Sequence, residues 1–167
     1  DIMTSEFMRD LLSKDEKITV EYKSCQYGIQ EDVYETVCSF SNRYGGYIIM
    51  GAEDDGTPIG VKQNMVKDMK RNFVNQLNNP DKMSPTLYLS IEDFEYEGKI
   101  LLWVYVPPTA TVEKCGNRIY DRNEDGDMDI TDSPIQLQNM YNRKSTTYAE
   151  HKIFPYVTKD DLRLDLM

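Results

Sequence analysis

The sequence predicts an α+β fold in which helices pack on one mixed or mostly antiparallel sheet. Two observations support this prediction: apolar residues recur at helical spacing in four segments, and stretches of strand length, bounded by glycine, asparagine or proline, separate these segments. The chain has 167 residues, a length that suits one domain around one hydrophobic core.

The first two predicted elements are a helix capped by Ser5 and a strand at residues 18–23. The helix carries apolar residues at helical spacing, namely Phe7, Met8, Leu11 and Leu12. Apolar and polar side chains alternate along the strand, so Glu21 and Lys23 are expected on the same, polar face.

A second helix and a buried strand are predicted between residues 31 and 61. The helix, at residues 31–44, places four apolar residues on one stripe: Val33, Val37, Phe40 and Tyr44. Gly45 and Gly46 then turn the chain into a strand at residues 47–52, which is apolar enough to be buried on both faces. An Asp55-Gly56 turn leads to a short strand at residues 59–61.

The second half of the chain predicts a helix, a hairpin and a final helix. The first of these helices has Val66, Met69, Phe73 and Leu77 at helical spacing. In the hairpin, a strand at residues 87–91 turns at 97–99 into a return strand at 100–106, and 118–120 adds one more strand. Ser133-Pro134 begins the last helix, which is expected to pack on the sheet through Leu137, Met140 and Tyr141.

Composition argues against several classes of protein. No apolar run approaches the roughly 20 residues that a membrane helix needs, and the N-terminal residues lack a signal-peptide pattern. The three cysteines show no CxxC spacing, so a reduced cytoplasm is expected. The only histidine, His151, lies in a polar stretch, which disfavours a Ser-His-Asp or Cys-His site and a zinc site.

The net charge of −10 argues against a surface that binds phosphates everywhere, so any nucleic-acid surface must be local. Basic residues cluster in two segments, around residue 67 and around residue 143. The alternative interpretation is that these are solvated helix faces. The residues expected to contact nucleic acid are Lys23, Lys62, Lys67, Lys70, Arg71, Arg143 and Lys144.

Three carboxylates form a candidate metal site. Glu16 precedes the first strand, Glu21 lies on its polar face, and Asp54 follows the strand at residues 47–52, so two adjacent strands would bring them together. Such a cluster favours Mg²⁺ or Mn²⁺, and a bound ion would stabilise a phosphoryl transition state. The alternative is that they are surface acids in a chain with 29 Asp and Glu residues.

The segment 121–132 follows the template of a calcium-binding loop. Gly126 stands at its sixth position, where the loop turns sharply, and Met128 at its eighth. The last oxygen ligand is an aspartate rather than the usual glutamate, and an acidic turn between a strand and a helix is the alternative. The candidate calcium ligands are Asp121, Asn123, Asp125, Asp127, Asp129 and Asp132.

Two segments carry a resemblance to a known family: VEYK at residues 20–23, and residues 31–61, where the helix leads through Tyr44-Gly45-Gly46 into the strand that ends in acids. Together they resemble the Schlafen/AlbA-type DNA-binding domain, over about Phe7 to Ala149. The resemblance implies a single Schlafen/AlbA-like lobe at residues 1–150. Residues 151–167 would then be an extension or a linker to a further domain.

The resemblance also implies site residues. Nuclease-active Schlafen proteins use three carboxylates, which match Glu16, Glu21 and Asp54 here, with Asp55 as an alternative to Asp54. Schlafen enzymes hold RNA between two lobes, so catalysis by this chain would require a homodimer or a partner domain. The segment 140–149 resembles the family's Y-x-R-x-G-S-x-T-x-x-A pattern, in which Arg143 would contact phosphate or cap backbone.

The leading hypothesis is a nucleic-acid-binding module, with DNA as its ligand, in a bacterial protein of the transcriptional-regulator type. The first alternative is a metal-dependent ribonuclease that uses the three carboxylates. The second alternative is an ATP-binding or protein-interaction domain, because relatives have been labelled divergent AAA or helicase-like proteins. Against ATP, Gly45-Gly46 follow a helix and open a strand, which is the reverse of the order in a P-loop.

Overall fold

The computed structural model describes residues 2–14 and 18–153, with side chains up to residue 146. Four helices and eight strands occur in this part of the chain, so the predicted α+β class is confirmed. A short 3-10 turn, Gln63–Met65, precedes the third helix. The elements are α1 Ser5–Leu12, β1 Val20–Lys23, α2 Asp32–Ser41, β2 Gly46–Met50, α3 Val66–Leu77, β3 Met83–Ser84, β4 Glu92–Tyr96, β5 Lys99–Val106, β6 Lys114–Cys115, β7 Tyr120–Asn123, β8 Gly126–Asp129 and α4 Pro134–Ile153.

The main sheet has four strands in the order β1-β2-β5-β4. β1 runs parallel to β2, whereas β5 is antiparallel to both of its neighbours, so the sheet is mixed. In the parallel pair, Glu21 lies opposite Ile48 and Lys23 lies opposite Met50. Parallel strands end at the same edge, so the residues that follow β1 and β2 emerge side by side.

Both faces of this sheet are covered by apolar side chains. Helices α2 and α3 cover one face, where Val37, Phe40 and Phe73 are fully buried. Helix α1 lies over the other face, against Tyr22 and Ile49. Because β2 is buried on both sides, its continuous apolar run follows the pattern of an inner strand.

The ends of α1 and α2 differ from their predicted limits. Thr4 rather than Ser5 caps α1, and its Oγ1 accepts a hydrogen bond of 3.1 Å from the backbone N–H of Phe7. Helix α2 ends at Ser41, so Tyr44 lies outside it and is 60% exposed, although it was expected on the apolar stripe. Gly46 is required for close packing, because a Cβ there would lie 2.6 Å from the carbonyl oxygen of Thr19.

Two strand predictions are corrected by the structure, and two short strands were not predicted. Residues 87–91 form no strand, and β4 begins only at Glu92, after the alternating segment. Residues 59–61 likewise form no strand, and the turn that precedes them is closed by an isolated bridge between Ala52 and Pro58. The two-residue strands β3 and β6 pair with each other and carry no sequence pattern long enough to be recognised.

The last two strands and α4 form a separate cluster rather than a layer on the main sheet. β7 and β8 make an antiparallel hairpin, and Met140 of α4 is fully buried with Ile119 and Ile130. Leu137 packs against this cluster, but Tyr141 is 48% exposed, so the predicted packing of α4 on the main sheet is wrong. Residue 150, the expected end of the lobe, lies within α4.

Among the helices in the part of the chain that the structure describes, none combines the length and the apolar character that crossing a bilayer requires.

Candidate functional site

A cleft of about 600 Å³ opens where the parallel strands β1 and β2 end. Glu21 and Asp54 both line it, so the structure brings two of the three predicted carboxylates to one place. Glu16 lies outside the described residues. The lining residues are Glu21, Tyr22, Lys23, Ser24, Gln30, Asp32, Ala52, Glu53, Asp54 and Asp55.

Glu21 is buried and pairs with an arginine that was not anticipated. Its Oε1 accepts a hydrogen bond of 2.7 Å from Nη1 of Arg122, which is only 1% exposed. The guanidinium of Arg122 lies 4.7 Å from the ring centroid of Phe40, and its Nη2 donates to the carbonyl oxygen of Val20 at 3.3 Å. A protein cation therefore offsets the charge of Glu21, a role that the sequence analysis gave to a metal ion.

Asp127 is the second carboxylate that binds Arg122. Nη1 of Arg122 donates to Oδ1 of Asp127 at 2.8 Å, and the hydroxyl of Thr36 donates to Oδ2 at 2.6 Å. Ser39, also on α2, donates a further hydrogen bond to the same carboxylate. This network joins the β7–β8 hairpin, α2 and β1.

Lys23 is tied to the wall of the cleft. Its Nζ lies 3.0 Å from Oδ2 of Asp32, and its side chain is 12% exposed. Burial on its own lowers the pKa of Lys23, but the hydrogen bond that Lys23 donates to Asp32 and the charge of Glu21 outweigh burial and raise the pKa above its ordinary value. Lys23 is therefore a fixed cation that already has a carboxylate partner.

The segment predicted to bind calcium is the β7–β8 hairpin. Oδ1 and Oδ2 of Asp121 accept hydrogen bonds of 3.1 and 2.8 Å from Arg43, and Oδ1 of Asn123 accepts one from the backbone N–H of Asp125. Asp127 is held by Arg122.

Further along the segment, Asp129 and Asp132 both accept hydrogen bonds from Arg118, at 2.8 and 3.1 Å. The oxygens are thus divided among several protein partners. Among the residues that the structure describes, no group of three or more Asp, Glu, His or Cys side chains is arranged to hold a metal ion.

The first predicted basic segment lies at the surface, and we name Lys62, Lys67, Lys70 and Arg71 the basic strip. Lys62 and Lys67 are exposed, and Nζ of Lys62 lies 5.6 Å from the ring centroid of Tyr27, which is 67% exposed. Lys70 pairs with Asp93 on β4, and Arg71 pairs with Asp68 on its own helix. The segment 62–71 thus contains four cationic side chains and only one carboxylate.

The second predicted basic segment is directed inward. Lys144 is 7% exposed, and its Nζ donates to the carbonyl oxygens of Ser41, Thr109 and Thr111, each at 2.9 Å. Burial lowers the pKa of Lys144 to about 8. Nη2 of Arg143 donates to the carbonyl oxygen of Asn42 at 2.8 Å. These two cations join α4 to the C-terminus of α2, where the helix dipole favours positive charge, so Lys144 is not at the surface.

The sequence analysis missed a buried carboxyl group beside Lys144. Glu113 is 1% exposed, and neither of its carboxyl oxygens has a hydrogen-bond partner among the described residues. Burial raises the pKa of Glu113 to about 8, against the opposing effect of the Lys144 charge. Asn42 fixes the backbone of Glu113. Its side-chain oxygen accepts a hydrogen bond from the N–H of Glu113, and its side-chain nitrogen donates one to the carbonyl oxygen of Glu113.

Comparison with known proteins identifies one family and several solved structures with a similar fold, of which two are described below. The family described as Schlafen, AlbA_2 matches residues 16–131. No curated protein matches the sequence.

The first similar fold is the N-terminal domain of a DNA helicase RecG-related protein from Nitrosomonas europaea, with 24% identity and a TM-score of 0.50 over 65% of this chain and 75% of that one. The second is the DIP2311 protein of Corynebacterium diphtheriae, with 16% identity and a TM-score of 0.51 over 74% of this chain. The present chain corresponds to only 30% of the DIP2311 chain. At these identities, the likeness concerns the fold.

Proposed function

The chain belongs to the Schlafen AlbA_2 family, and on this premise we propose that it is a nucleic-acid-binding module whose basic strip contacts phosphates. In the finer form of the proposal, the ligand is DNA and the module serves a bacterial regulator of transcription in the cytoplasm. The observation that carries the proposal is the strip itself, because four cations fall within residues 62–71 of a chain whose net charge is −10.

The local contacts of the strip support this use. Lys62 and Lys67 are exposed, and within the described part of the chain neither has a carboxylate partner, so both ammonium groups are available to phosphates. Lys70 and Arg71 have partners but lie at the surface, where exchanging a carboxylate for a phosphate costs little. The exposed ring of Tyr27 beside Lys62 adds a face on which a base or sugar packs.

Binding is tested with fluorescently labelled single-stranded DNA, duplex DNA and structured RNA at two salt concentrations. We expect salt-sensitive binding, because each phosphate contact releases counterions. Reversing two charges, Lys62→Glu with Lys67→Glu, is expected to weaken binding about tenfold or more and to flatten the salt dependence. The matched control is Lys114→Glu, which reverses an exposed lysine on β6. Equal losses in the control, or no binding at low salt, would contradict the proposal.

The second candidate function is metal-dependent cleavage of RNA, and the observation that favours it is the shared cleft of Glu21 and Asp54. Glu16 would complete the three carboxylates by its resemblance to the family pattern. Glu21 enters the cleft already paired with Arg122, so a metal ion would have to use its remaining oxygen or displace the arginine. A homodimer or a partner domain would supply the second wall that holds the RNA.

Cleavage is tested by incubating labelled RNA with the protein and Mn²⁺, with EDTA as the metal-free control. Asp54→Asn is the cleanest variant, because Asp54 is exposed and its replacement leaves the fold intact. Asp55→Asn decides between the two aspartates, and Glu53→Gln is the control, because it removes a third carboxylate that lines the same cleft. Cleavage that survives Asp54→Asn and Asp55→Asn alike would exclude this site as its source.

A further inference from the structure

A hollow bordered by aromatic rings lies on the α1 side of the main sheet. Its volume is about 290 Å³, and we name it the aromatic hollow after the four rings that line it: Phe7, Tyr44, Tyr47 and Tyr105. Tyr44 is 60% exposed and Tyr105 is 43% exposed, so two of the rings present much of their surface to solvent.

Three of the four rings, those of Phe7, Tyr47 and Tyr105, are held in place by contacts with one another. Tyr47 is central, with its ring centroid 5.4 Å from that of Phe7 in an edge-on arrangement and 5.0 Å from that of Tyr105. Gly45 and Gly46 also line the hollow. Rings that are already held in place lose little conformational entropy when a flat ligand packs on them.

Positive charge lies beside the most exposed ring. The guanidinium of Arg43 is 5.8 Å from the ring centroid of Tyr44 and pairs with Asp121 at 2.8 Å. Arg143 lies 3.5 Å from the same carboxylate, so two cations share one anion. The side chains of Arg43 and Arg143 are 25% and 31% exposed, so part of each guanidinium is within reach of a ligand.

We infer that the aromatic hollow binds an unpaired nucleobase whose phosphate lies against Arg43 and Arg143, so that the nucleic acid taken by this protein is single-stranded. The inference rests on the proposed function and narrows it. Bases in a duplex are stacked on one another, so their faces are closed to a protein ring, whereas a single strand exposes them. Arginine beside an aromatic ring suits a nucleotide, because the two groups meet a phosphate and a base at once.

A second copy of the chain is the less favoured occupant. A stable protein interface takes roughly 20 to 30 residues from each partner. The aromatic hollow is lined by eleven residues and matches a single base better than it matches another protein surface.

The only tryptophan of the chain provides a direct readout, because the ring of Trp103 lies 6.2 Å from that of Tyr47. The experiment titrates the protein with an oligothymidine and follows the fluorescence of Trp103, with a blunt duplex of the same length as comparison. We expect the oligothymidine to quench this fluorescence. Tyr44→Ala should weaken its binding about five- to tenfold, Tyr44→Phe should bind within about twofold of wild type, and duplex binding should not change.

The matched control is Tyr88→Ala, which removes an 86% exposed tyrosine outside the aromatic hollow. If Tyr44→Ala binds the oligothymidine as well as wild type does, while the basic-strip variant has lost binding, the inference is wrong and the proposed function stands. If no nucleic acid binds at low salt, the proposed function is wrong and the inference falls with it. Light scattering tests the remaining alternative. If the wild-type protein is a dimer and the Tyr44→Ala variant is a monomer, the hollow is a protein interface, and the inference is overturned.

Discussion

Arg122 and Glu21 are separated by 101 positions in the chain, yet their side chains meet at 2.7 Å, and Glu21 lines the cleft. Asp127 binds the same guanidinium nitrogen, so one buried cation serves two carboxylates. Replacing one partner of a buried ion pair leaves the others charged and without compensation, which is more costly than the pair itself is stabilising. The cleft therefore depends on Arg122 for its stability.

Replacing Arg122 by methionine is expected to lower the free energy of unfolding by about 3 to 5 kcal/mol, because Glu21 and Asp127 lose their common cation. Chemical denaturation followed by circular dichroism measures the change. Arg118→Met is the control, since Arg118 pairs with two aspartates at the surface and its loss should be much smaller. Equal effects of the two variants would show that Arg122 has no special role.

Glu113 makes stability depend on pH. Its folded pKa is about 8 and its ordinary value is 4.5, so between these values the folded protein holds a proton that the unfolded chain releases. The stability from this group is complete below pH 4.5 and is lost as the pH rises towards 8, at about 1.4 kcal/mol per pH unit at most.

Glu113→Gln should remove this dependence, so that the free energy of unfolding of the variant rises steadily relative to that of wild type between pH 5 and pH 7.5. Denaturation curves at several pH values in this window test the expectation. Lys144 does not disturb the comparison, because its folded pKa of about 8 changes stability mainly above that window. Parallel pH profiles for wild type and variant would contradict the assignment.

Lys144→Met should loosen α4 from the end of α2. The ammonium of Lys144 donates to three carbonyl oxygens, which would be left buried without a donor, at a cost of about 1 to 3 kcal/mol. Amide hydrogen exchange locates the effect, which should appear first in α4. Lys114→Met is the matched control because Lys114 is exposed. Unchanged exchange in α4 would show that Met140 and its apolar neighbours hold the helix alone.

Tyr22→Phe tests the connection between α1 and β1. The hydroxyl of Tyr22 donates to the carbonyl oxygen of Leu11 at 2.6 Å and also contacts that of Lys14. Removing it should cost about 0.5 to 1.5 kcal/mol of stability while leaving the packing of the ring unchanged. Tyr96→Phe is the comparison, since Tyr96 is buried in the same apolar cluster. A larger loss in that variant would place the main polar anchor of this cluster at Tyr96.

Local patterns predicted the elements that bury a regular apolar stripe. Helix α3 follows its predicted spacing, with Met69, Phe73 and Leu77 buried, and β2 follows its continuous apolar run. The alternation at residues 87–91 predicted a strand that does not form. The chain there packs apolar side chains without entering a ladder of backbone hydrogen bonds. Periodicity reports which side chains are buried, and it does so for strands and for extended loops alike.

Fewer residues of the candidate site could be predicted from sequence patterns. The family resemblance located Glu21 and Asp54, and the parallel pairing of β1 and β2 explains why both line one cleft. The burial of Arg122 and Lys144 could not be predicted from the sequence, because the groups that bind these cations lie far along the chain. An arginine between two acidic stretches has the same sequence signature whether it is solvated or buried.

The hydrogen bond from Arg122 to the carbonyl oxygen of Val20 has a consequence for how these molecules behave at high concentration. β1 is the outermost strand on its side of the sheet, and a strand in that position offers a template to which extended segments of other chains can add. Here a guanidinium occupies one of its backbone acceptors. The arginine that binds Glu21 thereby also leaves one acceptor fewer for an added strand at this edge.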